Sequence, residues 1–233
     1  MSIRSSDIAS FILPSLDPPG EKHDLPPPYN QPPFKRGPLT DKARRRVCIM
    51  NPLPRLHRSL IPDLDARWKP PVLLYGWSIG HLMPMLLEYA EEHHLLVYAG
   101  GSTKPPSRSG DSDDSDSDAH SVHWGDTDEE DEEEEDEKYV EKLSSAERAL
   151  YAIALEASVD MGNLPSYRQP FTLGCALHDP HKLVICIYSN YELAYAVSDA
   201  AIEKMQKRLG IQEAPAWYVS SIDPTWSRIA PRW

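Results

Sequence analysis

Apolar residues along this chain fall into short runs with recognisable periods, separated by long stretches that have none. Val72-Leu73-Leu74-Tyr75 reads as a short buried strand, and Leu82, Met85, Leu86, Tyr89 and Ala90 then recur on one face of a helix. Proline is tolerated only in a first helical turn, so Pro84 places the start of that helix near Gly80 to Met83. Leu95-Leu96-Val97-Tyr98 is a further strand candidate, stopped by Gly100-Gly101. After a long polar stretch, Ser144-Ser145-Ala146-Glu147 fits a capping box, with Leu150, Ile153, Ala154 and Ala157 on one helical face behind it. Gly162-Asn163 and Pro165 supply the stop. Thr172 to Leu177 and Leu183 to Tyr188 are β-rich runs joined by Asp179-Pro180, the pattern of a hairpin. Ser198 is placed to cap a last helix carrying Ile202, Met205 and Leu209 on one face. Gly210 suits its C-terminal stop, with Ile211 making the accompanying apolar contact. Trp217-Tyr218-Val219 closes the pattern as a strand. The periods predict one small α+β domain of about three helices and four to five short strands. Its foldable residues, 71–101 and 139–233, number 126, enough for one compact core.

The stretches without a period differ from each other in kind. Residues 1–70 hold 13 of the 23 prolines, including Pro18-Pro19, Pro26-Pro27-Pro28 and Pro32-Pro33. Proline removes backbone donors and pushes the preceding residue to extended conformations. The expectation is a disordered, Pro-rich arm of polyproline II character. It is also basic, with ten Lys or Arg against three Asp over 35–69. Residues 102–138 form an acidic insert: 111–137 carries 16 acidic residues and no Lys or Arg. Charges this dense repel and cannot bury a core, so this insert, too, is expected to be disordered within a folded domain spanning 71–233. Lengthening a loop to that size costs only about 2 kcal/mol, at roughly 0.6 kcal/mol per doubling.

Charge and cysteine content narrow the class. The chain has 36 acidic and 24 basic residues, net −12, but without the acidic block 20 acidic and 24 basic residues leave +4. This is a near-neutral chain with one acidic block, not a uniformly acidic one. No apolar run is long enough to span a bilayer. The stretch Ile8 to Leu13, closed by Pro14, lacks the pattern of a secretory leader. Three cysteines make no disulfide framework, so a reduced intracellular setting, cytoplasmic or nuclear, is expected.

The words Leu87-Glu88-Tyr89-Ala90-Glu91-Glu92-His93 after a Tyr-Gly strand, and Leu209-Gly210 followed by Pro215-Ala216-Trp217-Tyr218, resemble small fungal α+β proteins. Those proteins combine a strand–helix unit, a variable low-complexity insert and a Pro-x-Trp-Tyr ending. The resemblance covers about half of the chain. That group has no assigned activity, so the resemblance implies an intracellular protein and transfers no site residue.

Four groups of residues are candidates for chemistry. Pro26-Pro27-Pro28-Tyr29 is P-P-x-Y, the ligand of WW domains, in which preformed polyproline II packs in an aromatic groove and the tyrosine fills a pocket. The preferred reading is therefore a non-enzymatic adaptor recruiting a WW-domain partner through Pro26, Pro27 and Tyr29, with no cofactor. Gly76-Trp77-Ser78-Ile79-Gly80 fits G-x-S-x-G, the nucleophile elbow, so the alternative is a serine hydrolase using Ser78 with His178 or His181 and Asp160 or Asp179. Against it, the several parallel strands that an α/β-hydrolase places before its elbow have no counterpart in the Pro-rich residues 1–70, and a helix begun at Ser78 would meet Pro84 in its second turn. Cys175, His178, His181 and Cys186 offer zinc-ligand chemistry around the predicted turn, at a spacing of no standard module. Core cysteines with turn histidines is the preferred account of them. The acidic block could capture a basic protein or fold back on the Arg44–Lys69 stretch, and its sign opposes binding to nucleic acid. Ser115 and Thr127 each have an acidic residue three positions on, the pattern of acidophilic kinase sites.

Overall fold

The computed structural model describes residues 13–18, 25, 27, 29–32, 34–35, 40–63, 67, 69–98, 140–159, 169–178 and 182–222. Within them the chain is α+β, as its periods predict. Helix α1 is Asp41–Cys48, strand β1 Leu73–Ser78, α2 Leu82–Glu92, α3 Lys142–Glu156, β2 Thr172–Cys175, β3 Leu183–Ser189, α4 Asp199–Leu209 and β4 Ala216–Val219. The strands form one antiparallel sheet in the order β2-β3-β1-β4.

Strand alternation divides β1 between two faces. Leu73, Tyr75 and Trp77 enter the main core with Ile185 and Ile187 of β3, Trp217 and Val219 of β4, and the apolar faces of α2, α3 and α4. Those helix faces are Leu86 and Ala90; Ala146, Ala149, Leu150 and Ile153; and Ile202, Met205 and Leu209. On the opposite sheet face, Ala176, Val184 and Tyr218 form a smaller cluster. A register shift between Tyr75 and Gly76 leaves Ile187 as the extra residue of a bulge. There β3 approaches so closely that a Cβ on Gly76 would collide with the Ile185 carbonyl.

Several local signals work as expected. Helix α2 starts at Leu82, with Pro84 in its first turn. In α4, Ser198 Oγ accepts from the Ala201 amide, Gly210 adopts φ 68°, and Ile211 is buried beyond it. The hairpin of β2 and β3 pairs Thr172 with Cys186 and Cys175 with Leu183. Two expectations need correction. Leu95 to Tyr98 is no strand: it makes one isolated bridge, Tyr98 to Val140, at the base of the acidic segment. Ser144 and Ser145 cap nothing, because α3 begins earlier, after Glu141. Ser145 Oγ instead accepts from the Val97 amide, and Glu147 accepts from the Leu173 amide.

Part of 1–70 packs on this fold. The described residues of that stretch are not an arm separate from the fold. Leu16, Leu25, Tyr29, Phe34, Val47, Leu53, Leu56, Leu60 and Ile61 are all buried in the main core. Leu53 exchanges both main-chain hydrogen bonds with Trp217, at 3.0 and 2.8 Å, and so covers the outer edge of β4. The physical reason is a set of side-chain donors. Irregular backbone leaves carbonyls without ladder partners, and a buried carbonyl must find a donor. Trp217 Nε1 donates to Ser15 O, Arg58 Nε to Asp17 O, and Tyr29 Oη to Asn51 O. Asn190 Nδ2 reaches both Leu60 O and Pro71 O, and Tyr191 Oη reaches Pro70 O. No described helix is long and apolar enough to cross a membrane.

Candidate functional site

The sequence candidates are dispersed by the fold. Ser78 is the last residue of β1, paired with Val184 inside the sheet, and its main chain is hydrogen-bonded by the Tyr218 side chain. A nucleophile elbow turns directly from strand to helix at the serine. Here α2 begins four residues later, at Leu82, and Gly76 is explained by the approach of β3. Asp160, Asp179 and His181 lie outside the described residues. His178 is fully buried, and both ring nitrogens are engaged: Nδ1 donates to Met50 O at 2.9 Å, and Nε2 accepts from the Val219 amide at 3.0 Å. A histidine so placed is a neutral clip between the segment after α1 and strand β4. Tyr218 meets it edge-on, with ring centroids 5.7 Å apart.

The cysteine–histidine array does not assemble among the described residues. Cys186 lies opposite Thr172, three residues from Cys175 along β2, which is about 10 Å of strand and an odd step onto the other face. All three cysteines are free thiols, and no group of three or more metal-binding side chains occurs among the described residues.

Of the P-P-x-Y residues, Pro26 lies outside the described residues and Pro27 is exposed. Tyr29 is 3% exposed, with its ring 4.7 Å from Phe34 and its hydroxyl on Asn51 O. Burial pushes the phenol well above its ordinary range. A tyrosine seated in this way cannot fill a partner's pocket unless residues 29–34 leave the core. Ser115 and Thr127 lie outside the described residues.

What the periods missed is α1. Thr40 caps it, with Oγ1 accepting from the Ala43 amide at 3.2 Å; Asp41 sits in the first turn and Arg45 and Arg46 in the last, each sign favourable to the helix dipole. Its one buried residue is Val47, so it shows no apolar stripe. Arg45, Arg46 and Ile49 lie three, four and seven positions after Lys42, and the four share the outer face. With Asp41 they line an open groove of about 470 Å³. Arg46 Nη1 donates to Gln31 Oε1 at 2.8 Å, which ties the stripe to the proline-rich segment beside it. The side chains of Lys42, Arg44 and Arg45 are exposed and make no hydrogen bond or ion pair with a described residue. Ile49, at the end of the stripe, is 81% exposed.

A second polar cluster joins the helices. Glu156 of α3 accepts from Tyr89 Oη of α2 at 2.6 Å and from Arg208 of α4 at 3.0 Å. The Tyr89 and Arg208 hydrogen bonds hold the Glu156 carboxyl below its usual range. Both Glu156 oxygens accept from a neighbouring helix, so the cluster is a surface clamp. Comparison of the chain with protein families, with curated proteins and with solved structures finds no match, so its α+β fold and the stripe on α1 stand on their own geometry.

Proposed function

We propose that this chain is a non-enzymatic interaction protein that captures an acidic polypeptide segment on the outer stripe of α1. One observation carries the reading: Lys42, Arg45 and Arg46 are presented side by side on a helix whose inner residue, Val47, is locked in the core, with Ile49 exposed at the end. The immobile helix lowers the ordering cost of binding. Exposed ion pairs are worth about 0.2–1 kcal/mol each, and covering one aliphatic side chain adds roughly 1.5 kcal/mol or more. With these contacts near their upper values, a short acidic peptide with one large apolar residue should bind with a Kd between about 0.1 and 1 mM, weakening as salt rises. Ile49 favours a polypeptide over nucleic acid, since a phosphate backbone offers nothing to an aliphatic side chain.

The test is titration of the full chain with a fluorescent peptide of one tryptophan and eight glutamates at low salt, beside Arg45→Glu and Ile49→Ser. Loss of binding in the first and weakening in the second are expected. Equal binding by the charge reversal, or a DNA duplex bound more tightly than the peptide, would overturn the reading. The WW-ligand reading ranks below this one because Tyr29 is seated in the core.

A further inference from the structure

The chain carries its own candidate for the groove on α1. Residues 126–137 are acidic at every position except Thr127, and Trp124, the single aromatic residue in 111–137, lies two residues before them. We propose that this segment, Trp124 to Glu137, docks on the outer stripe of α1 in the same molecule, with its carboxylates on Lys42, Arg45 and Arg46 and Trp124 over Ile49. The inference rests on the binding reading above and names the segment that competes with any partner.

Three observations carry it. The first is chemical order: the stripe presents three cations followed by one exposed aliphatic residue, and the segment presents eleven carboxylates beside one indole. Asp41 lines the same groove and subtracts one charge, so the lining residues sum to +2 and Arg44 adds a further cation nearby. The second is reach. The segment's downstream end is tethered at Val140, which bridges to Tyr98 on the folded domain. Fourteen residues separate Asp126 from Val140, a span of up to about 50 Å when extended. A domain of this size has a radius of gyration of about 15 Å, so most of its surface is in range. The third is the lack of an internal partner: no described carboxylate pairs with Lys42, Arg44 or Arg45.

Tethering sets the strength. A tether of this length places the segment at an effective concentration on the order of 1 mM. Against a Kd of about 0.1–1 mM the groove is then occupied half to nine-tenths of the time, and an external acidic peptide binds about two- to tenfold more weakly than to an open groove. Screening beyond about 8 Å at physiological salt confines the effect to direct contacts, so raising the salt should open the groove.

Two measurements on the full chain test this. Carbodiimide coupling joins a lysine amine to a carboxylate in contact with it. Coupling of Lys42 to carboxylates of 126–137 within monomers is expected, several-fold above Lys182, Lys204 and Lys207, and lost in Arg45→Glu. Lys142 lies beside the tether and couples in any case, which makes it the internal control. Lysines coupling without preference, or Lys42 coupling only in dimers, would overturn docking within one molecule. The second measurement compares binding of the tryptophan–glutamate peptide by the wild type and by a full-length variant with the eleven carboxylates of 126–137 replaced by their amides. Tighter binding to the variant, by about two- to tenfold, supports the inference. Equal affinities overturn the inference and leave the binding reading standing. No binding to the variant overturns both.

Discussion

Trp217 donates its indole N–H to the carbonyl of Ser15 at 2.9 Å, across 202 residues of sequence. Strand β4 is thereby joined to the proline-rich N-terminal stretch by a bond that neither segment could satisfy alone. Ser15 Oγ also pairs with Tyr188 Oη at 2.9 Å, and the Ser15 carbonyl takes the Leu56 amide as well.

The two tryptophans among the described residues should respond differently to the same substitution. Trp77 and Trp217 are 1% and 0% exposed, but the Trp77 indole N–H has no acceptor among the described residues, whereas that of Trp217 holds Ser15. Trp217→Phe should destabilise the fold by about 0.5–1.5 kcal/mol more than Trp77→Phe, because it removes one of the two hydrogen bonds to the Ser15 carbonyl, which keeps only the Leu56 amide. Urea denaturation of both variants measures the difference; equal losses would mean that the N-terminal stretch contributes nothing through this bond.

The glycines of G-x-S-x-G separate a turn motif from a sheet requirement. Gly76→Ala should prevent folding or cost several kcal/mol, since its Cβ meets the Ile185 backbone, which cannot yield as a side chain would. Gly80→Ala should fold normally, because its nearest neighbour is Ser78 Oγ at 3.8 Å. Circular dichroism and melting temperatures decide it. Fluorophosphonate labelling that is present in wild type and absent in Ser78→Ala would show a nucleophile where the fold places a strand end.

WW-domain capture should depend on unfolding the N-terminal stretch. A synthetic peptide of residues 22–34 should bind a WW domain more tightly than the folded chain by tenfold or more, which corresponds to a release cost of about 1.4 kcal/mol. In the folded chain, Tyr29→Ala should cost about 3–5 kcal/mol of stability, as truncation of a buried ring does. Equal binding by peptide and chain would show that Tyr29 leaves the core at little expense.

Alkaline pH should unfold the protein through its buried phenols. Burial, with a smaller contribution from Asp199, pushes Tyr75 up to about 12 from its ordinary 10.0. Burial also raises Tyr188 and Tyr218. A raised phenol contributes stability that is complete below the unfolded value, pH 10, and lost as pH rises towards the folded value near 12. Denaturation midpoints should hold up to pH 10 and fall above it, with tyrosinate absorbance rising in step with unfolding. Early, gradual ionisation of every tyrosine in a folded chain would contradict this burial.

Local chemistry made part of the fold legible. Ser198 and Gly210 bound α4 because a cap and a left-handed stop act within a few residues, and the β2–β3 hairpin follows from two adjacent β-rich runs. Where a signal had competitors at a distance it misled. Ser145 looked like a capping-box residue, but the Val97 amide takes its hydroxyl, and Glu147 is drawn to Leu173. Helix α1 was illegible because a two-turn helix with one buried residue has no apolar period, although its cap Thr40 and its charge order were present in the sequence.

The sequence by itself determined the α+β class, the positions of β1, α2, the hairpin, α4 and β4, and the single concentrated acidic block, because each depends on residues close together along the chain. Only the tertiary structure decided that Tyr29 is a core residue, that His178 is a clip between Met50 and Val219, and that Lys42, Arg45, Arg46 and Ile49 share one outward face. The physical reason is that proline-rich backbone has too few donors to organise itself. Its carbonyls are satisfied by Trp217, His178, Asn190 and Tyr191, up to 202 residues away, and no local pattern records those partners.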